Sequence, residues 1–221
     1  MTKLFAWDYH GTLAKNNELA VHRSLNAAFH ELGIPKRANL MEVVELYGKT
    51  WGEYVQHYLP DETPEMIDKV IASVRMYGGR FAPMYVKPMD HAHDVLSAIK
   101  ERGDKNMLIT NTTPKGMEMF IRLIGIDKYI DHAAGISLDD ETNGINTAEH
   151  KAQRLRKYAG SRFEKIIMIG DRESDVEAGK IAGAVPYLFM PRCEDCIRED
   201  GVHVINDLRK VLDVYRVVEN E

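Results

Sequence analysis

Asp8 lies far along the chain from Asp171 and Asp175, and Asp8 and Asp171 each follow a short apolar run. Hard oxygen ligands of this kind suit Mg²⁺, which keeps several waters and often bridges to a substrate phosphate. Gly11-Thr12 and Thr110-Asn111 add backbone N–H groups and side-chain donors that could receive an oxyanion. Lys151 would complete the neutralisation of a phosphate, with Lys115 the next candidate. Each residue has a plainer reading. A lone Asp at a strand end is ordinarily a turn or helix cap. Thr110-Asn111 could cap the helix opened by Pro114. Lys151 shares its stretch with Arg154, Arg156 and Lys157, as on a solvated helix face. Only a fold that brings these positions together turns them into a site.

The apolar runs predict such a fold. Lys3 to Trp7 reads as a buried strand ending at Asp8. Met107 to Thr110 and Lys165 to Ile169 repeat the pattern, ending at Thr110-Asn111 and Gly170-Asp171. Ala133 to Ile136, Val185 to Phe189 and His203 to Ile205 are further strand candidates. Helical spacing marks His91 to Glu101, Pro114 to Ile124, Ala148 to Tyr158, Ser174 to Ala182 and Asp207 to Val217. Strands alternating with helices predict an α/β fold, a doubly wound parallel sheet in a three-layer core. In such sheets the ligand crevice lies outside the carboxyl ends of the strands, where the residues above would meet.

One block breaks the alternation. From about Glu18 to Tyr77 the pattern is helical throughout. The first of its helices ends at Gly33 and Pro35, a second begins at Met41, a third runs from Trp51 to Leu59, and a fourth from Glu65 to Tyr77 is closed by Gly78-Gly79. Trp51, Tyr54, Tyr58 and Met76 fit the core of this block at least as well as a substrate pocket. The expected division is an α/β core of residues 1–14 and 86–221, with residues 15–85 inserted as a smaller all-helical cap domain. The linkers would be Leu13 to Asn17 and Met84 to Pro88.

The motifs resemble those of the haloacid dehalogenase-like superfamily. Asp8-Tyr9-His10-Gly11-Thr12-Leu13 is similar to its first motif, Thr110-Asn111 to its second, and Gly170-Asp171 through Asp175 to Gly183 to its fourth. The resemblance covers most of the chain and implies a Rossmann-type core with a cap after the first motif. It implies Mg²⁺-dependent hydrolysis of a small phosphorylated molecule. Asp8 would be the nucleophile that forms an aspartyl-phosphate. Asp8, the backbone carbonyl of His10 and Asp171 would hold Mg²⁺, with Asp175 bound to it or one layer out. Thr110 would bond a phosphoryl oxygen, and Lys151 would neutralise the phosphate and orient Asp8.

One position departs from the pattern. The family's phosphatases carry a second Asp where this chain has His10. That Asp protonates the leaving oxygen and later activates water. Three readings follow. His10 could replace it, since imidazole titrates near neutrality. The chain could resemble phosphonoacetaldehyde hydrolases, which lack this Asp and use a cap lysine as a Schiff base; Lys49 would be that residue. Or it could bind a phosphorylated ligand without turning it over. The dehalogenases proper fit less well, because they use no Mg²⁺ and lack the pair Asp171 and Asp175.

Composition narrows the classes. The 221 residues carry Lys+Arg 29 against Asp+Glu 34, a net charge of −5, which argues against nonspecific binding to nucleic acid or an anionic membrane. No apolar run approaches the roughly 18 residues of a membrane span. Asp8 comes too soon for a signal peptide. Two cysteines make no disulfide framework, so the expectation is a cytoplasmic protein, monomer or homodimer, with ordinary thiols. Cys193 and Cys196 have metal-ligand spacing with His203 beyond, but a closed zinc site needs a fourth ligand; zinc or a redox pair is the alternative to ordinary thiols. His91 and His93 show no ligand pattern.

Overall fold

The computed structural model describes residues 2–47, 49–135, 147–194, 197–198, 200 and 201–216. In chain order the elements are β1 Lys3–Trp7, β2 Ala14–Lys15, α1 Asn17–Glu31, α2 Leu40–Glu45, α3 Trp51–Tyr58, α4 Pro64–Tyr85 and β3 Lys87–Pro88. There follow α5 Ala92–Glu101, β4 Lys105–Ile109, α6 Pro114–Leu123, β5 His132–Ala134 and α7 Thr147–Ala159. The last are β6 Lys165–Gly170, α8 Glu173–Ala182, β7 Val185–Phe189 and β8 His203–Ile205, with a 3₁₀ helix over Leu208–Tyr215.

The sheet has six strands in the order β5-β4-β1-β6-β7-β8, and every neighbouring pair is parallel. This is the α/β sheet the alternation predicts. Side chains of β1 alternate between its faces, as a strand buried on both sides requires. Phe5 and Trp7 join Val95, Leu96 and Ile99 of α5 and Leu208 and Val211 of the 3₁₀ helix. Leu4 and Ala6 join Leu155 and Ala159 of α7 on the other face. Trp7 keeps its indole satisfied inside the core by donating from Nε1 to Asn106 Oδ1 at 3.0 Å. Asn106 in turn donates to the Leu96 carbonyl at 3.0 Å.

Helices α1 to α4 form their own apolar cluster, in which Leu25, Ala28 and Phe29 of α1 gather with Val70 and Val74 of α4 and Tyr54 and Val55 of α3. The chain passes into and out of this helical cap through β2 and β3. These pair antiparallel, Ala14 opposite Pro88 and Lys15 opposite Lys87. Two-residue strands carry no periodicity, so this ribbon is invisible in the sequence.

Four expectations need correction. The fourth cap helix does not stop at Gly78-Gly79 but runs on to Tyr85, so Met84 is helix rather than linker. Packing on α1 overrides the glycine signal, with Gly78 close to Trp51 and Ser24. Pro83 falls in the last turn of this helix, where its missing N–H costs one hydrogen bond near the end and does not break the body of the helix. Met76 belongs to neither core nor pocket, being 56% exposed. The final helix is 3₁₀, and Val217 lies outside the described residues. Cys193 is disulfide-bonded rather than an ordinary thiol. Cys196 and Ile136 lie outside the described residues.

Candidate active site

Strand β1 ends at Trp7, β4 at Ile109 and β6 at Gly170. Their adjacency in the sheet delivers Asp8, Thr110 and Asp171 to one edge, and α7 and α8 add Lys151 and Asp175. All five line one cavity of about 1010 Å³ between the sheet edge and the helical cap. His10, Asn111 and Lys49 line it too.

Lys151 is buried, not on a solvated face. Its Nζ donates to Asp8 Oδ1 and Asp175 Oδ1, each at 2.6 Å. Burial alone would push this ammonium toward the neutral form; the two carboxylates outweigh it and hold it charged. Asp175 also accepts from the Arg172 backbone N–H at 3.2 Å.

Glycines make the packing possible. Gly11 has φ +87°, and a Cβ there would lie 2.3 Å from Asp171 Oδ2. A Cβ on Gly170 would meet Asp175 Cγ at 2.2 Å. Both carboxylates therefore sit directly against backbone that only glycine supplies. Thr12 approaches Asp171 Oδ1 at 3.4 Å.

The carboxylates fit a hard divalent cation. Asp8, Asp171 and Asp175 each offer an oxygen, all within 4.8 Å of one another. Burial, with the charges of Asp8 and Asp175 added, pushes the Asp171 carboxyl up to about 7. Burial pushes Asp175 up to about 6. Carboxylates crowded in this way are relieved by a cation, and an all-oxygen donor set suits Mg²⁺.

The remaining wall is aromatic and hydroxylic. Thr110 Oγ1 lies 3.2 Å from Thr112 Oγ1 and accepts from the Thr112 N–H at 3.3 Å. His10 Nε2 is 3.3 Å from Thr112 Oγ1. The imidazole stands edge-on to Tyr9 and Phe120, its centroid 4.8 Å from each. Desolvation, aided by the Lys151 charge, pushes His10 down to about 3, so the ring is neutral. Lys49 is exposed and ion-paired with Glu53 Oε1 at 2.9 Å. That is not the desolvated or cation-flanked pocket a free amine requires. Lys115 also reaches the cavity. Thr112, Tyr47 and Arg172 also reach the cavity without having been singled out in the sequence; Thr112 and Tyr47 stand outside any motif, and Arg172 fills a variable position of the fourth.

A family model described as haloacid dehalogenase-like hydrolase matches residues 5–187. The chain belongs to the haloacid dehalogenase-like hydrolases. Within that family it is an enzyme of the phosphatase branch with a helical cap, as its motifs imply. It is 23% identical over 214 residues to the pyrophosphatase PpaX of Halalkalibacterium halodurans, covering 96% of this chain and 95% of that protein. The PpaX of Anoxybacillus flavithermus is 23% identical over 180 residues, 80% of this chain and 78% of the relative. Among solved structures, CbbY from Rhodobacter sphaeroides in complex with phosphate superposes with TM-score 0.77 at 19% identity, over 96% of both chains. A predicted phosphoglycolate phosphatase from Haemophilus somnus gives TM-score 0.79 at 18% identity, over 97% and 98%. At these identities the structures speak for the haloacid dehalogenase fold alone. Among the described residues, no helix is long and apolar enough to cross a membrane.

Proposed function

We propose that this chain hydrolyses a small organic phosphate in a Mg²⁺-dependent reaction through an aspartyl-phosphate on Asp8. The observation that carries the reading is the buried Lys151 bridging Asp8 and Asp175, with Asp171 within metal-sharing distance, at the carboxyl edge of the sheet. Asp8, Asp171, Asp175 and the His10 carbonyl would hold Mg²⁺, which when bound supplies charge neutralisation for the phosphoryl oxygens. Lys151 orients Asp8 and adds a second positive charge. Gly11, Thr12, Thr110 and Asn111 would receive phosphoryl oxygens. A carboxylate oxygen of Asp8 attacks phosphorus, and the leaving oxygen departs with the electron pair of the broken P–O bond and takes its proton from solvent water. Water then attacks the same phosphorus, releasing phosphate and restoring Asp8. The neutral His10 imidazole suits the second step, where it takes the proton of the attacking water. The relatives' name brings inorganic pyrophosphate into the same reading, with phosphate as leaving group.

The division into a core of residues 1–14 and 86–221 and a cap of 15–85 belongs to this reading. The separate apolar cluster of α1 to α4 and the β2–β3 ribbon support it. Movement of the cap over the edge of the sheet would admit substrate and exclude water.

The test is phosphate release from an aryl phosphate with Mg²⁺ and with EDTA, for wild type and Asp8→Asn. We expect turnover only with Mg²⁺, and a fall of about a thousandfold or more in the variant. Turnover that survives Asp8→Asn removes the aspartyl-phosphate route. Binding without turnover in wild type leaves a ligand-binding protein.

A further inference from the structure

The cavity wall is cationic although the chain is acidic. Six Lys and Arg side chains line it against four carboxylates, three of which are Asp8, Asp171 and Asp175. Lys151 is paired with Asp8 and Asp175, Arg172 with Asp171, Arg122 with Glu118, and Lys49 with Glu53, so the cationic surplus of the wall is modest. A wall with more cations than carboxylates still favours anionic ligands.

Tyr47 and Arg172, like His10 through its Nδ1, are side chains of this wall with a buried polar atom that makes no hydrogen bond among the described residues. The Tyr47 hydroxyl is buried and has no hydrogen-bond partner among the described residues. Arg172 Nε is likewise buried without a hydrogen bond, although it lies 3.5 Å from Asp171 Oδ2 as an ion pair. The Arg172 guanidinium sits 5.4 Å from the centre of the Tyr47 ring. Tyr47 follows α2 in the cap segment and Arg172 caps the start of α8 in the core, so the two meet on the cavity wall from opposite sides of the chain's division. Burial, reinforced by Asp171, Glu18 and Asp8, keeps the phenol protonated and therefore a donor. A buried donor without an acceptor is costly, and a ligand that supplies the acceptor removes that cost. Tyr47 also closes on His10, the ring centroids 6.3 Å apart, which sets it beside the leaving-group side of the site.

We propose that Tyr47 and Arg172 are specificity-determining residues that receive an anionic group, carboxylate or phosphate, carried by the leaving portion of the substrate. This rests on the phosphatase reading above and names the class of ester it serves. The guanidinium meets the anion with charge-assisted hydrogen bonds, and the phenol donates one more from the cap side. Because one partner is in the cap and the other in the core, only an ester with this second anion ties the two together.

The experiment compares phenyl phosphate with 3-carboxyphenyl phosphate and 3-phosphonophenyl phosphate, which add a carboxylate or a phosphonate to the same ring. Wild type is expected to favour at least one charged ester in kcat/KM by tenfold or more, chiefly through KM. The charged arm preferred tells a carboxylate from a phosphate. Arg172→Gln and Tyr47→Phe should cut that preference at least tenfold and about fivefold, and Arg172→Lys should restore part of it. Equal losses on all three esters, or a wild type that prefers phenyl phosphate, would overturn the inference. Binding of the same three esters to Asp8→Asn by calorimetry decides it without turnover. Tighter binding of a charged ester, lost in Asp8→Asn combined with Arg172→Gln, supports it even if no ester is hydrolysed; equal binding sinks it.

Discussion

At the scale of single residues, the site turns on His10, where the family's phosphatases keep an Asp. Its neutral imidazole, 3.3 Å from Thr112 and edge-on to two aromatic rings, is held in place without being charged. If it takes the proton of the attacking water, His10→Asn should slow steady-state turnover by about 10²- to 10⁴-fold. The first aryloxide release would persist as a burst, because the phospho-enzyme then accumulates. A variant with unchanged steady-state rate and no burst would deny His10 this role. Gly170 offers a second test at this scale. Its absent side chain leaves room for Asp175, so Gly170→Ala must displace either the strand end or the carboxylate. We expect a loss of about 1–3 kcal/mol in urea unfolding together with most of the activity. Asp8, Thr110, Asp171 and Asp175 are legible in the sequence because each stands beside an apolar run or in a spaced motif. Lys151 is legible only as a candidate, since its basic neighbours hide that it is buried. Tyr47 leaves no signal, and Arg172 only a variable position within the fourth motif, because their meaning lies in where two distant segments meet.

At the scale of elements, the six strands were readable as apolar runs, and their parallel pairing as a consequence of intervening helices. What escaped were places where packing overrides local signals. Helix α4 passes through Gly78, Gly79 and Pro83 because α1 holds it along its length. The closing 3₁₀ helix is another case. Its three buried residues, Leu208, Val211 and Val214, recur every third position, which matches three residues per turn better than 3.6. Asp207 starts that helix, accepting from the Arg209 N–H at 2.8 Å, and the Arg209 side chain pushes its carboxyl down to about 2. A depressed carboxyl contributes stability above its unfolded value near 4, and the contribution is lost as pH falls toward about 2. Asn keeps the cap but loses the exposed ion pair with Arg209, so Asp207→Asn should cost about 0.2–1 kcal/mol at neutral pH. The deficit against wild type should shrink between about pH 4 and pH 2. Thermal unfolding across that range checks it, and a pH-independent difference would contradict it.

At the scale of the whole molecule, the site stores repulsion that a cation would release. Asp8, Asp171 and Asp175 converge from two strand ends and a helix, with Lys151 as the single buried lysine among them. Mg²⁺ at about a hundred times its Kd should stabilise the wild type by about 2.7 kcal/mol. Asp171→Asn should melt higher than wild type in EDTA, yet gain little from Mg²⁺. A variant that melts lower in EDTA would mean that the carboxylate is a structural partner rather than a strained one. The larger consequence lies in the β2–β3 ribbon. Ala14 faces Pro88 and Lys15 faces Lys87, so the chain leaves the sheet and returns to it at neighbouring points. The sheet's own path is indifferent to what is strung between them. A tight turn could close the ribbon into a hairpin, and another helical bundle could be grafted in its place. Such an exchange would replace the Tyr47 side of the cavity while leaving Asp8, Asp171, Asp175 and Arg172 where they are.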